Sequence, residues 1–391
     1  MRLTNCSVLD VKTGTLQPNR TVEIVDGRIG QIKVGLATGD DVLDLGGACL
    51  LPGLISCHAH LWQIYPFSAI DRNEPPPVTV LRAAGRARDA LYAGVTTVRS
   101  VSELHRADLY LRAAAREGWI EAPRILGAGQ SIAVTGGHGF ECSVQADGGT
   151  EFLKAARAEL AAGADHIKVF ITGGIMRLEE NLDAQQMTDD EIAGAVRAAS
   201  EHHTYVTAHA ASSGAIQQAM RLGVRGFEHA YLLDDDTAAL MAGQGAFLTP
   251  TLCVSHSRSA DWMRAHGWEP WAVDLAQRTG VEHRKSIRRA IDAGVTLVNG
   301  TDYPPGDEIE GTAVAIYEME LMVEAGLSPL GSIQAATVNA ARLLRLDDVG
   351  AVETGMLADL VATPKDPTAD ITAMRGINFV MQAGRVVRHS T

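Results

Sequence analysis

The sequence of 391 residues lacks long hydrophobic runs, and no segment approaches the roughly 20 apolar residues that a membrane-spanning helix requires. The first residues, MRLTNCSVLDVKTG, contain no apolar stretch of the kind that precedes the cleavage site of a secretory signal. Apolar residues make up 46% of the chain and charged residues 21%, which is ordinary for a folded protein with a large core. We therefore expect a cytoplasmic protein without a membrane partner.

Clusters of basic residues are also lacking. The chain has 34 Lys and Arg against 47 Asp and Glu, which gives a formal net charge of −13. A protein that follows a phosphate backbone needs a basic stripe on its surface. Nucleic acid is therefore not an expected partner, and anionic membranes are excluded for the same reason.

Cysteine is scarce, and its spacing excludes two further kinds of site. The number of cysteines is odd and no two of them form a CxxC pair, so neither a disulfide framework nor a thiolate zinc site is indicated. The five positions are Cys6, Cys49, Cys57, Cys142 and Cys253. The 13 histidines are a mild excess, and their positions are more informative than their number.

Both ends of the chain have the pattern of short β-strands. TVEIVDGRIGQIKVG carries two β-rich runs around Asp26-Gly27, a strong hairpin signal, and a similar pair of runs meets at Ala383-Gly384. We predict that residues 1–52 and 346–391 together form a small β-sandwich domain.

The middle of the chain, residues 53–345, alternates short apolar runs with amphipathic helical patterns. TYVTAHA, for example, follows a helical segment that Thr188 can cap. About eight such units can be counted, which predicts an α/β fold, a (β/α)8 TIM-like barrel. Reactive side chains in these barrels lie at the carboxyl ends of the strands.

Two histidines close the first of these strands in GLISCHAHLW. His58 and His60 are two residues apart, so their side chains point to the same face of a strand. Imidazole nitrogens are good zinc ligands. The HxH pattern alone fits a hydrogen-bonded pair in the core equally well.

Lys168 stands in the middle of the apolar run HIKVF. Burying an unpaired ammonium costs several kcal/mol or forces the amine to become neutral. The lysine could be salt-bridged within the barrel, or it could be carbamylated by CO₂ and bridge two metal ions. The residues alone favour the salt bridge.

Three further polar residues close predicted strands. His209 ends TYVTAHA, His229 ends VRGFEHA, and Asp302 ends GVTLVNGTD. Each alone could be a satisfied core residue. Together with the HxH pair and the buried lysine, they place six metal-ligating groups at the ends of strands one, four, five, six and eight, which predicts a metal site.

At this point the chain resembles the amidohydrolase superfamily over nearly its whole length. The matching motifs are HAH at 58–60, Lys168 in IKVF, AHA at 208–210, EHA at 228–230 and GTD at 300–302. The resemblance implies two divalent ions, most often zinc, bridged by carbamylated Lys168. It assigns His58, His60 and Asp302 to one ion and the other two histidines to the second. Ser56 departs from the pattern, because these enzymes often have Asp there.

The implied chemistry is amide hydrolysis. Two divalent ions can hold a bridging hydroxide and polarise a carbonyl, and Asp302 can pass a proton to the leaving amine. The stretch HAASS after the fifth strand lacks the glutamate expected of a mononuclear deaminase. Together with Lys168, this favours two metal ions.

Two motifs resemble the prolidase and dipeptidase branch, which is related to imidazolonepropionase. They are TGGHG at 135–139 and EHAYLLDD at 228–235. The resemblance implies that His138 and Tyr231 hold the α-carboxylate of the substrate; the alternatives are a flexible lid histidine and a core tyrosine. Arg177 is a weaker candidate for carboxylate contact, because a loop arginine is usually solvated.

The loop YPPGDEIEGT leaves the side-chain preference open. Asp307, Glu308 and Glu310 could attract a basic group, although we expect them to face water. We predict a metal-dependent amidohydrolase that cleaves a dipeptide or an N-acyl amino acid with a free C-terminal carboxylate. Alternatives are a hydrolase of cyclic or other non-peptide amides and carbamates, and a non-catalytic scaffold. Barrels of this kind often form homo-oligomers.

Overall fold

The computed structural model describes residues 1–175, 177–178 and 180–390, so Thr391, the last residue of the predicted end domain, lies outside the described residues. The strands, in chain order, are β1 Arg2–Asp10, β2 Thr15–Val25, β3 Arg28–Val34, β4 Val42–Asp44, β5 Cys49–Pro52, β6 Leu54–Ala59, β7 Val95–Ser100, β8 Arg124–Gly127, β9 Ser131–Ala133, β10 Ser143–Gln145, β11 Ile167–Phe170, β12 Val206–Ser212, β13 Gly226–Leu232, β14 Phe247–Thr249, β15 Thr296–Leu297, β16 Glu308–Ile309, β17 Thr312–Ala313, β18 Leu360–Thr363, β19 Phe379–Gln382 and β20 Arg385–His389. The α-helices are α1 Pro76–Tyr92, α2 Ala107–Arg116, α3 Gly149–Ala161, α4 Asp189–Glu201, α5 Ser213–Arg221, α6 Asp235–Gly243, α7 Ala260–Ala265, α8 Pro270–Ala293, α9 Val314–Glu324, α10 Pro329–Ala335 and α11 Val338–Leu344.

Strands from both chain ends form one sheet in the order β20-β19-β18-β5-β1-β2-β3, with β4 beside β1. Both predicted hairpins are confirmed: β2 pairs with β3 and β19 pairs with β20, each antiparallel. Asp26-Gly27 and Ala383-Gly384 all have positive φ, which matches the strand twist of a two-residue hairpin loop. The sheet has its own apolar core, which includes Leu3, Leu50 and Phe379. The sandwich and the domain boundaries stay predictions.

The middle of the chain contains two ladders of parallel strands, β6-β7-β8 and β10-β9-β11-β12-β13-β14-β15. The chain itself links them between Gly127 and Ser131. On the other side, the backbone N–H of Cys57 in β6 donates to the carbonyl of Asn299, just after β15, at 2.6 Å. The order of the strands around the set is therefore the order of the βα units along the chain, which brings the first and the last strand together.

Helices cover the parallel strands, and their starts follow from the sequence. The backbone N–H of Thr188 donates to the carboxylate of Glu191 at 2.8 Å, which fixes the predicted start of α4. Side chains alternate along β11: Ile167 and Val169 join the apolar core, whereas Lys168 between them belongs to the polar set of the site. Among the helices of the described residues, none has the length and apolar character that crossing a membrane requires.

Candidate metal centre and substrate cavity

The structure gathers the predicted metal ligands around one cavity at the carboxyl ends of the parallel strands. Nitrogen atoms of His58 and His229 and a carboxylate oxygen of Asp302 all lie within 4.8 Å of one another. The ring centroids of His209 and His229 are 4.6 Å apart, and those of His58 and His60 are 5.3 Å apart. All four histidines and Asp302 line the cavity.

Two of these histidines are oriented by backbone carbonyls. Nδ1 of His60 lies 2.8 Å from the carbonyl oxygen of Ser102, and Nε2 of His209 lies 3.1 Å from that of Gly173. Because a carbonyl can only accept, each of these nitrogens carries the proton. The other ring nitrogen of each histidine keeps its lone pair, as a metal ligand requires.

The carboxylate of Asp302 lies between the two histidines of the HxH pair. Its Oδ1 is 2.9 Å from Nε2 of His58 and 3.1 Å from Nε2 of His60. Burial acts to raise the pKa of Asp302, but the neighbouring His58 and His60 outweigh this effect and hold the pKa well below its usual range. The side chain is 23% exposed. Asp302 is therefore an ionised carboxylate that can accept a proton from the cavity.

The backbone at three site positions is left-handed. The φ angles are 71° at His229, 56° at Ala230 and 61° at Asp302. A non-glycine residue pays roughly 1–3 kcal/mol for this conformation, which persists only where the surroundings impose it. Such strain is concentrated in functional sites, and here it falls on two of the predicted ligands.

Lys168 meets the requirement for a bridging group better than that for a salt bridge. Its Nζ is buried and has no hydrogen-bond partner among the described residues. Burial lowers the pKa of this amine to about 8. The salt bridge favoured by the residues alone is therefore wrong for the described part of the chain. An unpartnered amine that loses its proton readily fits carbamylation, and the donor set fits divalent ions.

An ion pair buried between strands was missed in the sequence. Nη2 of Arg99 lies 2.7 Å from Oε1 of Glu228, and Oε2 of Glu228 lies 2.8 Å from Nδ1 of His58. Burial acts to raise the pKa of Glu228, but the charges of Arg99 and His58 outweigh it and hold the pKa well below its usual range. The pair anchors His58 from behind. The available signal was a charged residue inside the apolar runs TTVRSV and GFEHA.

His138 and Tyr231 both line the cavity beside the predicted ligands. The ring centroid of His138 is 4.3 Å from that of His209, and its Nδ1 lies 2.6 Å from Oε2 of Glu180. The Tyr231 ring stacks on His229 at 5.2 Å, with 1° between the planes. His138 is buried, which argues against a flexible lid. Glu180 was not singled out in the sequence, and nothing in the pattern around it distinguishes it from a solvated loop glutamate.

The weaker sequence candidates lie outside this cavity. Arg177 pairs with Glu141 and lies 4.0 Å from the centroid of the Phe140 ring. Glu308 and Glu310 are exposed, as expected, and Glu310 pairs with arginines of the surface.

Two remaining positions are buried to different degrees. Asp307 is half-buried, with Oδ1 at 4.0 Å from Nε of Arg86. Ser56 is fully buried two residues before His58, and its hydroxyl has no partner among the described residues. Nothing in the structure explains Ser56.

The family model of the amidohydrolase family matches residues 49–387, which is most of the chain. The chain belongs to the amidohydrolase family. This family membership implies a TIM-like barrel with a parallel sheet and the binding of divalent metal, and it makes the protein a hydrolase that acts on C–N bonds in small-molecule amides or peptides. A non-catalytic scaffold is therefore rejected.

Relatives of this amidohydrolase include proteins of several named activities. An ochratoxinase from Aspergillus niger is 27% identical over 373 residues, which cover 87% of this chain and 75% of that protein. An imidazolonepropionase from Cutibacterium acnes is 25% identical over 407 residues, which cover 95% and 91%. The crystal structure of a prolidase complexed with N-methylphosphonate-L-proline has a TM-score of 0.90 at 27% identity, and the match covers 100% of this chain and 99% of that chain. The predicted relation to prolidases and imidazolonepropionase is confirmed.

Proposed function

We propose that this amidohydrolase cleaves the amide bond of a dipeptide or an N-acyl amino acid that has a free C-terminal carboxylate. The observation that carries the proposal is that one cavity is lined both by five of the six predicted metal ligands and by two side chains suited to a carboxylate, His138 and Tyr231. A neutral cyclic amide would have no use for the second set.

The proposed ligands are His58, His60, Lys168, His209, His229 and Asp302. The free nitrogens of the carbonyl-oriented histidines and the unpartnered amine of Lys168 support two ions bridged by a carbamate. When bound, two divalent ions lower the pKa of a water molecule and polarise the carbonyl that is attacked. Zinc is the ion we expect.

Asp302 is proposed to move the proton. Its carboxylate is ionised, partly exposed and lines the cavity, so it can accept a proton from the attacking water and donate it to the nitrogen that leaves. His58 and His60 hold this carboxylate in place through its Oδ1. Protonating the leaving amine is required because an amide anion is too basic to depart unaided.

His138 and Tyr231 are proposed to bind the substrate carboxylate. Nδ1 of His138 faces Glu180, so any contact that His138 makes with a substrate goes through Nε2. Tyr231 is held against His229, which fixes the phenol close to the proposed metal ligands. The prolidase relative was crystallised with a proline derivative, which agrees with recognition of an amino acid.

The proposal is tested by metal analysis and a substrate panel. Purified protein should contain about two divalent ions per chain and should hydrolyse members of a set of Xaa-Xaa dipeptides and N-acyl amino acids. The panel also contains cyclic amides and carbamates. Preferential hydrolysis of those compounds would replace the proposal with the alternative, and fewer than one metal ion per chain together with full activity of Asp302→Asn would refute the mechanism.

A further inference from the structure

One wall of the cavity is unusually rich in aromatic side chains. Aromatic residues make up only 5% of the chain, yet Trp62, Phe67 and Trp268 all line the cavity, together with Ile70. The rings of Phe67 and Trp268 meet edge to face, with centroids 4.7 Å apart. We call Trp62, Phe67, Ile70 and Trp268 the aromatic wall.

A second aromatic group packs next to the cavity. Trp262 lies 5.0 Å from the rings of both Tyr65 and Tyr303, measured between centroids, and Tyr303 lines the cavity. Tyr65 also lies 5.6 Å from Tyr303. Aromatic packing of this kind restricts side-chain motion, which makes the cavity a largely pre-formed surface for an apolar group.

The charged side chains near the aromatic wall already have partners. Glu141 lines the cavity and pairs with Arg177, and His138 pairs with Glu180. A charged substrate group at this wall would therefore lose its water without gaining a free counter-charge among the described cavity residues. Burial of an uncompensated charge is strongly unfavourable.

The wall offers one hydrogen-bond donor. The indole Nε1–H of Trp268 is buried and has no partner among the described residues, and Trp268 itself is only 8% exposed. Buried donors are normally satisfied by the protein, by water or by a ligand. An oxygen acceptor on the bound group would satisfy this one.

The position of the wall indicates which part of the substrate it contacts. Trp62 follows the ligand His60 by two residues, and Nε1 of Trp62 donates to the same Ser102 carbonyl that orients His60, at 3.1 Å. The proposed carboxylate contacts lie instead against His209 and His229. A substrate held at both places has its acyl part at the wall.

We propose that the aromatic wall binds the acyl part of the substrate, and that this part is an uncharged aromatic group carrying an oxygen acceptor for Trp268. The inference rests on the proposed function, because that function assigns the opposite side to the carboxylate. Phe67 and Trp268 are then the residues that determine acyl specificity.

The first test compares acyl groups on one amino acid. For the metal-loaded protein, kcat/KM is measured with 2-naphthoyl, benzoyl, acetyl and succinyl derivatives of L-proline and of L-phenylalanine. We expect the 2-naphthoyl compound to exceed the acetyl compound about tenfold or more, since the wall buries apolar surface. The succinyl compound should be the poorest. Equal or better hydrolysis of the acetyl or succinyl compounds would overturn the inference.

Variants separate the two features of the wall. Trp268→Leu and Phe67→Ala should remove most of the aromatic preference and leave acetyl hydrolysis within about threefold. Trp268→Phe keeps an aromatic surface and removes the donor, so it should abolish only the preference for a 3-methoxybenzoyl over a 3-ethylbenzoyl group. Trp119→Ala is the matched control, because Trp119 is 77% exposed and does not line the cavity. An equal loss for all acyl groups would contradict the assignment.

A binding measurement keeps the inference independent of catalysis. Titration calorimetry with 2-naphthoate should show binding that Trp268→Leu weakens about tenfold and Trp119→Ala leaves unchanged, whereas succinate should bind far more weakly. If no amide is hydrolysed but naphthoate binding depends on Trp268, the proposed function fails and the wall assignment stands. If amides are hydrolysed but naphthoate binds independently of Trp268, the wall assignment fails alone.

Discussion

The floor and the aromatic wall of the cavity differ in how their side chains are held. The floor is built on strands, and its groups are fixed by contacts between strands, such as the chain from Arg99 through Glu228 to His58. The wall is built on connecting segments, with Phe67 in a short 3-10 helix and Trp268 between α7 and α8. The chemistry therefore lies on rigid elements, whereas specificity lies on segments that can vary without disturbing it.

The largest expected effect breaks the floor and leaves the wall intact. Asp302→Asn removes the proposed proton carrier, and we expect kcat/KM to fall about 10³-fold or more, as for loss of a general acid–base group. Binding of 2-naphthoate should stay within about twofold. Asp292→Asn is the control, because Asp292 pairs with Arg288 on an exposed helix face. Steady-state kinetics check the prediction, and retained activity would contradict it.

A second change to the floor tests stability. Arg99→Leu leaves the carboxylate of Glu228 buried without its cation, and such a loss typically costs about 3–5 kcal/mol. The matched surface variant Arg288→Ala should cost about 0–1 kcal/mol. Urea unfolding of both proteins gives the two free energies of unfolding. Equal costs would show that the buried pair does not support the floor.

The contrast between floor and wall explains how much could be predicted from the sequence. The ligands were found because the alternation of a strand and the carboxyl-end rule fix where side chains such as His58 and Lys168 point. The partner of Lys168 was not predictable, since a salt bridge depends on which strands become neighbours. Glu180 and Trp268 were missed because loops carry no period, and only the folded chain brings them to the cavity.

Lys168→Met sharpens the assignment of the metal bridge. The thioether has no nitrogen that CO₂ can modify, so we expect the metal content to fall from about two ions per chain to one or fewer. The value of kcat/KM should fall about 100-fold, comparable with the loss of a group that supports a metal site. Elemental analysis of the purified variant checks the metal content. Two tightly held ions in this variant would show that Lys168 does not bridge them.

The smallest expected effect concerns His138, which lies where floor and wall meet. Glu180→Leu removes the acceptor for Nδ1 of His138, and we expect KM for carboxylate-bearing substrates to rise about tenfold with kcat within about threefold. Glu180→Gln keeps an acceptor and should restore most of the affinity. Gly174→Ala should act like Glu180→Leu, because its Cβ would lie 2.2 Å from Cε1 of His138. A fall in kcat at constant KM would point instead to a role in the chemical step.

The most direct test of the proposed function is a pair of substrates that differ only at the C-terminal group. For an N-acyl amino acid and its C-terminal methylamide, kcat/KM of the metal-loaded protein is measured under identical conditions. The account predicts that the free acid is hydrolysed about 100-fold faster or more, because His138 and Tyr231 lose their charged partner in the methylamide. Equal rates for the two compounds would contradict it.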